Sequence, residues 1–103
     1  MLILQGTADP IVNLTVTTAT VENTCALFPT SPIEYMIIEG SSHVPTLYAT
    51  QQVWLEWIAD RFTGVHVDNR CSTKNHASLR RLETYQGELA YYLQIALESY
   101  EVA

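Results

Sequence analysis

The sequence predicts an α/β fold: a βαβ unit with parallel strands, followed by two helices. Three observations predict it. Two short apolar runs, residues 1–4 (MLIL) and 33–39 (IEYMIIE), are nearly continuous rather than alternating, the pattern of strands covered on both faces. A stretch of helical periodicity separates them, and strand, helix, strand in about 40 residues matches a βαβ crossover. Beyond the second run the period becomes that of helices.

The first run ends at Gly6 and delivers Asp9 three residues later, with Pro10 keeping a helix from starting at once. Residues 13–28 follow as a helix with Leu14, Val21, Cys25 and Phe28 on one face, Asn13 as its N-cap and Pro29 at its exit. Five threonines work against that helix. Thr30-Ser31-Pro32 is a turn, and residues 33–39 form the central strand. Gly40-Ser41-Ser42 then turns the chain sharply toward His43. One helix is predicted over residues 46–62. Leu47, Trp54, Trp57, Ile58 and Phe62 form an apolar stripe meant for the sheet, while Gln51, Gln52, Glu56 and Asp60 face water. Arg61 suits its C-terminal dipole and Gly64 ends it. Residues 63–78 read as a polar extended loop tied down at Cys71. A last helix is predicted over 84–100, with Leu89, Tyr92, Leu93, Ala96, Leu97 and Tyr100 at spacings of three and four. The organisation is thus a βαβα part over residues 1–71 and a C-terminal helical segment over 72–103.

Composition bounds the function classes. The 103 residues make one domain at most, and a 48% hydrophobic content is that of a chain built to bury a core. A formal net charge of -6 leaves no basic patch to neutralise phosphates, which argues against nucleic acid as a partner. No run approaches the roughly 18 apolar residues of a membrane span. The opening MLIL is too short for a signal-peptide core and lacks a basic flank, so export would need a signal outside these residues. Asn13-Leu14-Thr15 is a glycosylation sequon and points weakly toward export. Cys25 and Cys71 show no metal-type spacing. Paired, they would close a loop of about 45 residues worth ~3–4 kcal/mol in the chain-entropy model. Unpaired, they would be inert buried thiols, and spacing alone favours neither.

In open α/β sheets chemistry sits just beyond the carboxyl ends of the strands. Asp9 and His43 each follow a strand, and adjacent strands lie about 4.8 Å apart, so their loops can bring carboxylate and imidazole within hydrogen-bond reach. A carboxylate that holds a histidine in one tautomer leaves its other nitrogen free to act as a base. Alone, an Asp before proline is a turn residue and a loop His is a surface residue. Together, each on a strand end and in this order, they read as triad acid and base. Strand–Asp, crossover, strand–His is the closing section of an α/β-hydrolase, whose triad runs Ser…Asp…His. His66 and His76 are weaker bases, since both lie in the polar loop and read as surface residues. Glu39 is a weaker acid, being on the same strand end as His43. Tyr48 reads as a packing aromatic, and Tyr91, Tyr92 and Tyr100 as a helix stripe rather than the cover of an acyl site. No GxSxG nucleophile elbow occurs, and Ser41 and Ser42 do not replace one.

LILQGTADPIV, VENTCALFP, IEYMIIEGSSHVPTLYATQQVWLEWIADRF and the later Cys71 resemble the C-terminal part of the secretory lipase family of α/β-hydrolases, over residues 2–71. The resemblance implies Asp9 as triad acid, His43 as general base, and a serine nucleophile on an N-terminal half that these residues lack. It implies carboxylic ester or triacylglycerol substrates, no cofactor, secretion, and a Cys25–Cys71 disulfide. It also implies that the segment after residue 84 could cover the active site. Two rival readings remain: a non-catalytic, truncated chain that binds a partner through an unpaired sheet edge, and a peptidase-type hydrolase on the same fold.

Overall fold

A computed structural model describes residues 1–77 and shows a three-layer α/β arrangement. The elements run β1 (Leu2–Gly6), α1 (Leu14–Leu27), β2 (Glu34–Ile38), α2 (His43–Ala49), α3 (Gln51–Thr63) and β3 (Ser72–His76). The sheet is parallel throughout in the order β1-β2-β3. Gly6, Ile38 and His76 are in register at its carboxyl end.

Alternate residues of the strands face opposite layers. On one face Tyr35, Ile3 and Ile37 meet Val21 and Cys25 of α1, with Ile33 and Cys71 completing the cluster. Tyr35 is 2% exposed, and its hydroxyl shares a 3.0 Å hydrogen bond with Thr18 Oγ1, so its polar tip is not stranded. On the other face Leu2, Met36 and Lys74 line, with Val53, Trp57 and Arg61 of α3, a cavity of about 300 Å³. The Arg61 guanidinium lies 4.8 Å from the Trp57 ring centre, a cation–π contact. Among the described residues no helix is long and apolar enough to cross a membrane.

The helix ends follow local chemistry. Asn13 Oδ1 accepts from the backbone N–H groups of Thr15 (2.8 Å) and Val16 (3.4 Å), capping α1 as expected. Gly64 ends α3 with φ +77, the left-handed conformation that costs a glycine nothing. Phe28, expected on the inner face of α1, is its C-cap with non-helical backbone (φ -130, ψ 74), and it turns out into solvent.

The single helix expected over 46–62 is two helices that meet at Thr50. Its backbone (φ -108, ψ 12) leaves the helical region, and its buried hydroxyl donates back to Thr46 O at 2.7 Å, a bond that bends helices. The first of the two begins three residues earlier than expected, at His43. Pro45 falls in its first turn, where a missing N–H costs nothing. The break shifts the phase of the apolar stripe. Val53, Trp54 and Trp57 are half-buried, whereas Leu47, Ile58 and Phe62 are exposed, the last at 88%.

Residues 63–78, expected as a loop, contain β3, and the segment expected to be helical from residue 72 therefore opens with a strand. STKNH has no apolar signature, but β2 has an edge to satisfy. Ser72 N–H donates to Ile33 O, and Glu39 N–H donates to His76 O, each at 2.8 Å. Cys25 and Cys71 are paired in a disulfide that ties the start of β3 to α1. The helix predicted over 84–100, with Tyr91, Tyr92 and Tyr100, lies outside the described residues.

Candidate functional site

Two loops cross at the carboxyl end of the sheet, and backbone contacts stitch them together. Ala8 N–H donates to Ser41 O and Thr7 N–H to Ile38 O, both at 3.0 Å. Gly40 N–H donates to Thr7 Oγ1 at 2.8 Å. Gly6 lies under the crossing: a Cβ there would run into the Ser41 carbonyl and come 2.6 Å from Thr46 Oγ1. Only a residue without a side chain allows the loops to approach so closely.

This crossing brings Asp9 and His43 together, with Nδ1 of the imidazole 2.8 Å from Asp9 Oδ2. An ionised carboxylate has no hydrogen to give, so Nδ1–H is the donor. The other carboxylate oxygen, Oδ1, accepts from the backbone N–H groups of Ile11 (2.8 Å) and Val12 (2.9 Å). The Asp9 side chain is 6% exposed and that of His43 is 38% exposed. Burial works to raise the Asp9 pKa. Hydrogen bonds from Val12, His43 and Ile11, with the attraction of the imidazolium, outweigh it and hold the carboxyl below its ordinary value.

Gln5 braces the arrangement from beneath. Its amide nitrogen donates to Val12 O at 2.9 Å and Gly6 O at 3.2 Å, and stands 3.4 Å from Asp9 Oδ2. Its amide oxygen accepts from Thr17 Oγ1 at 3.1 Å, tying the Asp9 loop to α1. Gln5 is buried, and these bonds leave neither end of its desolvated amide unpaired. Sequence reasoning placed Gly6 only as the end of the first strand and did not single out Gln5 or Thr7. The available signal was a polar residue and a glycine ending an otherwise apolar strand immediately before the Asp9 turn.

The competing residues lie elsewhere. Glu39 is exposed and engages β3 through its backbone. His66 lines the cavity beside Arg61, on the α3 side of the sheet. His76, expected on the surface, is half-buried at the end of β3, and its Nε2 has no hydrogen-bond partner among the described residues. Tyr48 is half-buried in α2. Among the described residues no three His, Cys, Asp or Glu side chains gather as a metal would need.

A second cavity, of about 470 Å³, opens beside the pair. Ile3, Leu4, Val12 and Val44 give it apolar walls, and Asp9 and His43 line it. With Nδ1 bonded to a buried carboxylate and the ring partly exposed, His43 is arranged to accept or release a proton at Nε2. No protein-family model matches the chain, and no curated protein and no solved structure matches it.

Proposed function

We propose that these residues close the catalytic core of an α/β-hydrolase of the secretory lipase type, an exported enzyme that cleaves carboxylic esters, triacylglycerols among them. The observation that carries the reading is the 2.8 Å Asp9–His43 bond, formed between loops that leave adjacent parallel strands at their carboxyl ends. The apolar walls beside the pair suit an acyl chain.

In this reading the nucleophilic serine comes from sequence outside these 103 residues, since no GxSxG elbow occurs within them. His43 Nε2 takes the serine proton as Oγ attacks the ester carbonyl, then returns it to the departing alcohol. A water molecule repeats the cycle on the acyl-enzyme. Asp9 keeps Nδ1 protonated and stabilises the imidazolium formed in each half. The rest of the sheet joins at the edge of β1 that no strand of the described residues pairs, where Ile3 and Leu4 adjoin the cavity. The other edge, β3, carries Lys74 and reads as a blunted outer strand.

The test uses the complete gene product that contains this chain. Asp9→Asn and His43→Ala are expected to lower kcat on a soluble butyrate ester by about 10⁴-fold, as loss of the base or of its correct tautomer does elsewhere. Hydrolysis near the wild-type rate in either variant would refute the proposal.

The exposure of Leu55, Ile58 and Phe62 on α3 favours one alternative, a non-catalytic chain that functions through a partner. Size-exclusion chromatography separates the two: that alternative requires association, and a compact monomer of the isolated chain counts against it.

A further inference from the structure

We propose that Asn13 carries an N-linked glycan. Asn13-Leu14-Thr15 supplies an acceptor amide, a middle residue other than proline and a hydroxyl two residues on. Such triplets arise by chance, and two structural observations set this one apart.

The first is a division of labour within one side chain. Oδ1 is committed to the cap of α1 through Thr15 and Val16, while among the described residues nothing hydrogen-bonds Nδ2. Glycan attachment uses Nδ2 and leaves the amide oxygen in place, so the cap and the modification coexist. Asn13 and Thr15 are both exposed, and the folded chain has room for a bulky substituent there.

The second is the Cys25–Cys71 disulfide. It forms in an oxidising, secretory compartment, which is also where oligosaccharides are transferred to asparagine. The donor is a polyprenyl-pyrophosphate-linked oligosaccharide. Nδ2 attacks C1 of its first sugar, the C1–O bond to pyrophosphate breaks, Nδ2 loses one proton, and the polyprenyl pyrophosphate leaves. No oxidation or reduction is involved. Val12 and Thr17, on either side of Asn13 in the chain, both line the cavity that contains Asp9 and His43. The glycan therefore stands at the rim of that cavity.

The experiment is peptide mapping of the complete protein recovered from its natural source, before and after enzymatic release of N-glycans. The expected result is a glycosylated Asn13 peptide that becomes aspartate at position 13 on release. Asn13→Asp keeps a capping oxygen and Thr15→Ala keeps Asn13 itself. Each is expected to remove the glycan while the protein still reaches the medium, and Thr15→Ser is expected to retain it. An unmodified Asn13 in protein whose Cys25–Cys71 bond is intact overturns the proposal. So does a glycan shift that persists in both Asn13→Asp and Thr15→Ala.

Discussion

Gly6→Ala should be the most damaging single-methyl change at the crossing of the two loops. The added Cβ would lie 2.7 Å from the Ser41 carbonyl carbon and 2.6 Å from Thr46 Oγ1, against ordinary contacts of 3.4–4 Å. Gly6 is buried and paired to Ile38, so relief must come from moving the Ser41 backbone by about an ångström. That movement stretches the Ala8–Ser41 and Gly40–Thr7 hydrogen bonds. Overpacking of this kind costs about 1–3 kcal/mol, and the loss of one net hydrogen bond adds about 1 kcal/mol. With a urea m-value of about 1.5 kcal/mol/M, a 3 kcal/mol loss lowers the unfolding midpoint by about 2 M. The assay is urea unfolding of the oxidised full chain, with the His43 ring resonances as a second probe of its bond to Asp9. Gly64→Ala is the control. A Cβ there meets nothing within 4 Å, and the φ of +77 alone costs about 1–2 kcal/mol. If Gly6→Ala destabilises no more than Gly64→Ala and leaves the His43 resonances unmoved, the close approach of the loops is wrong.

Two further outcomes follow from the same geometry. The folded state holds the Asp9 carboxyl below its ordinary pKa of 3.8, so its contribution to stability is complete above that pH. It is lost as the pH falls from there through the lower folded-state value, and Asp9→Asn should flatten that part of a stability-versus-pH curve; an identical acid limb in the variant would refute the coupling. Replacing both Cys25 and Cys71 by alanine opens a loop with a sequence separation of 46. The chain-entropy model puts the loss at about 4 kcal/mol, read as a fall in urea midpoint that reduction reproduces in the native chain. A midpoint indifferent to reduction would mean the cross-link constrains nothing.

The two apolar strands, the Asn13 cap and the Gly64 stop were legible because each rests on local chemistry: burial on both faces, a side-chain acceptor, a left-handed backbone. The meeting of Asp9 and His43 was legible because parallel pairing puts consecutive strand ends side by side. What escaped depended on contacts remote in sequence. Nothing in STKNH announces a strand, since β3 exists through the spare backbone groups of β2 and the bond at Cys71. The break at Thr50 needs that residue to be fully buried, which periodicity cannot register. Gln5 reads as a strand's polar end until its four partners are seen around it.

The disulfide has a meaning for the sheet beyond loop closure. None of the side chains of Ser72–His76 is apolar and none is fully buried, so little hydrophobic gain holds β3 against β2. The cross-link from Cys71 to α1 supplies a high local concentration of this strand beside its partner's edge. Without the bond that advantage is lost, and the edge of β2, with its run of Tyr35, Met36, Ile37 and Ile38, is more open to pairing with other chains. The redox state of the compartment thus sets how firmly this sheet keeps its polar border. A strand held partly by a covalent bond keeps its place less firmly where that bond cannot form.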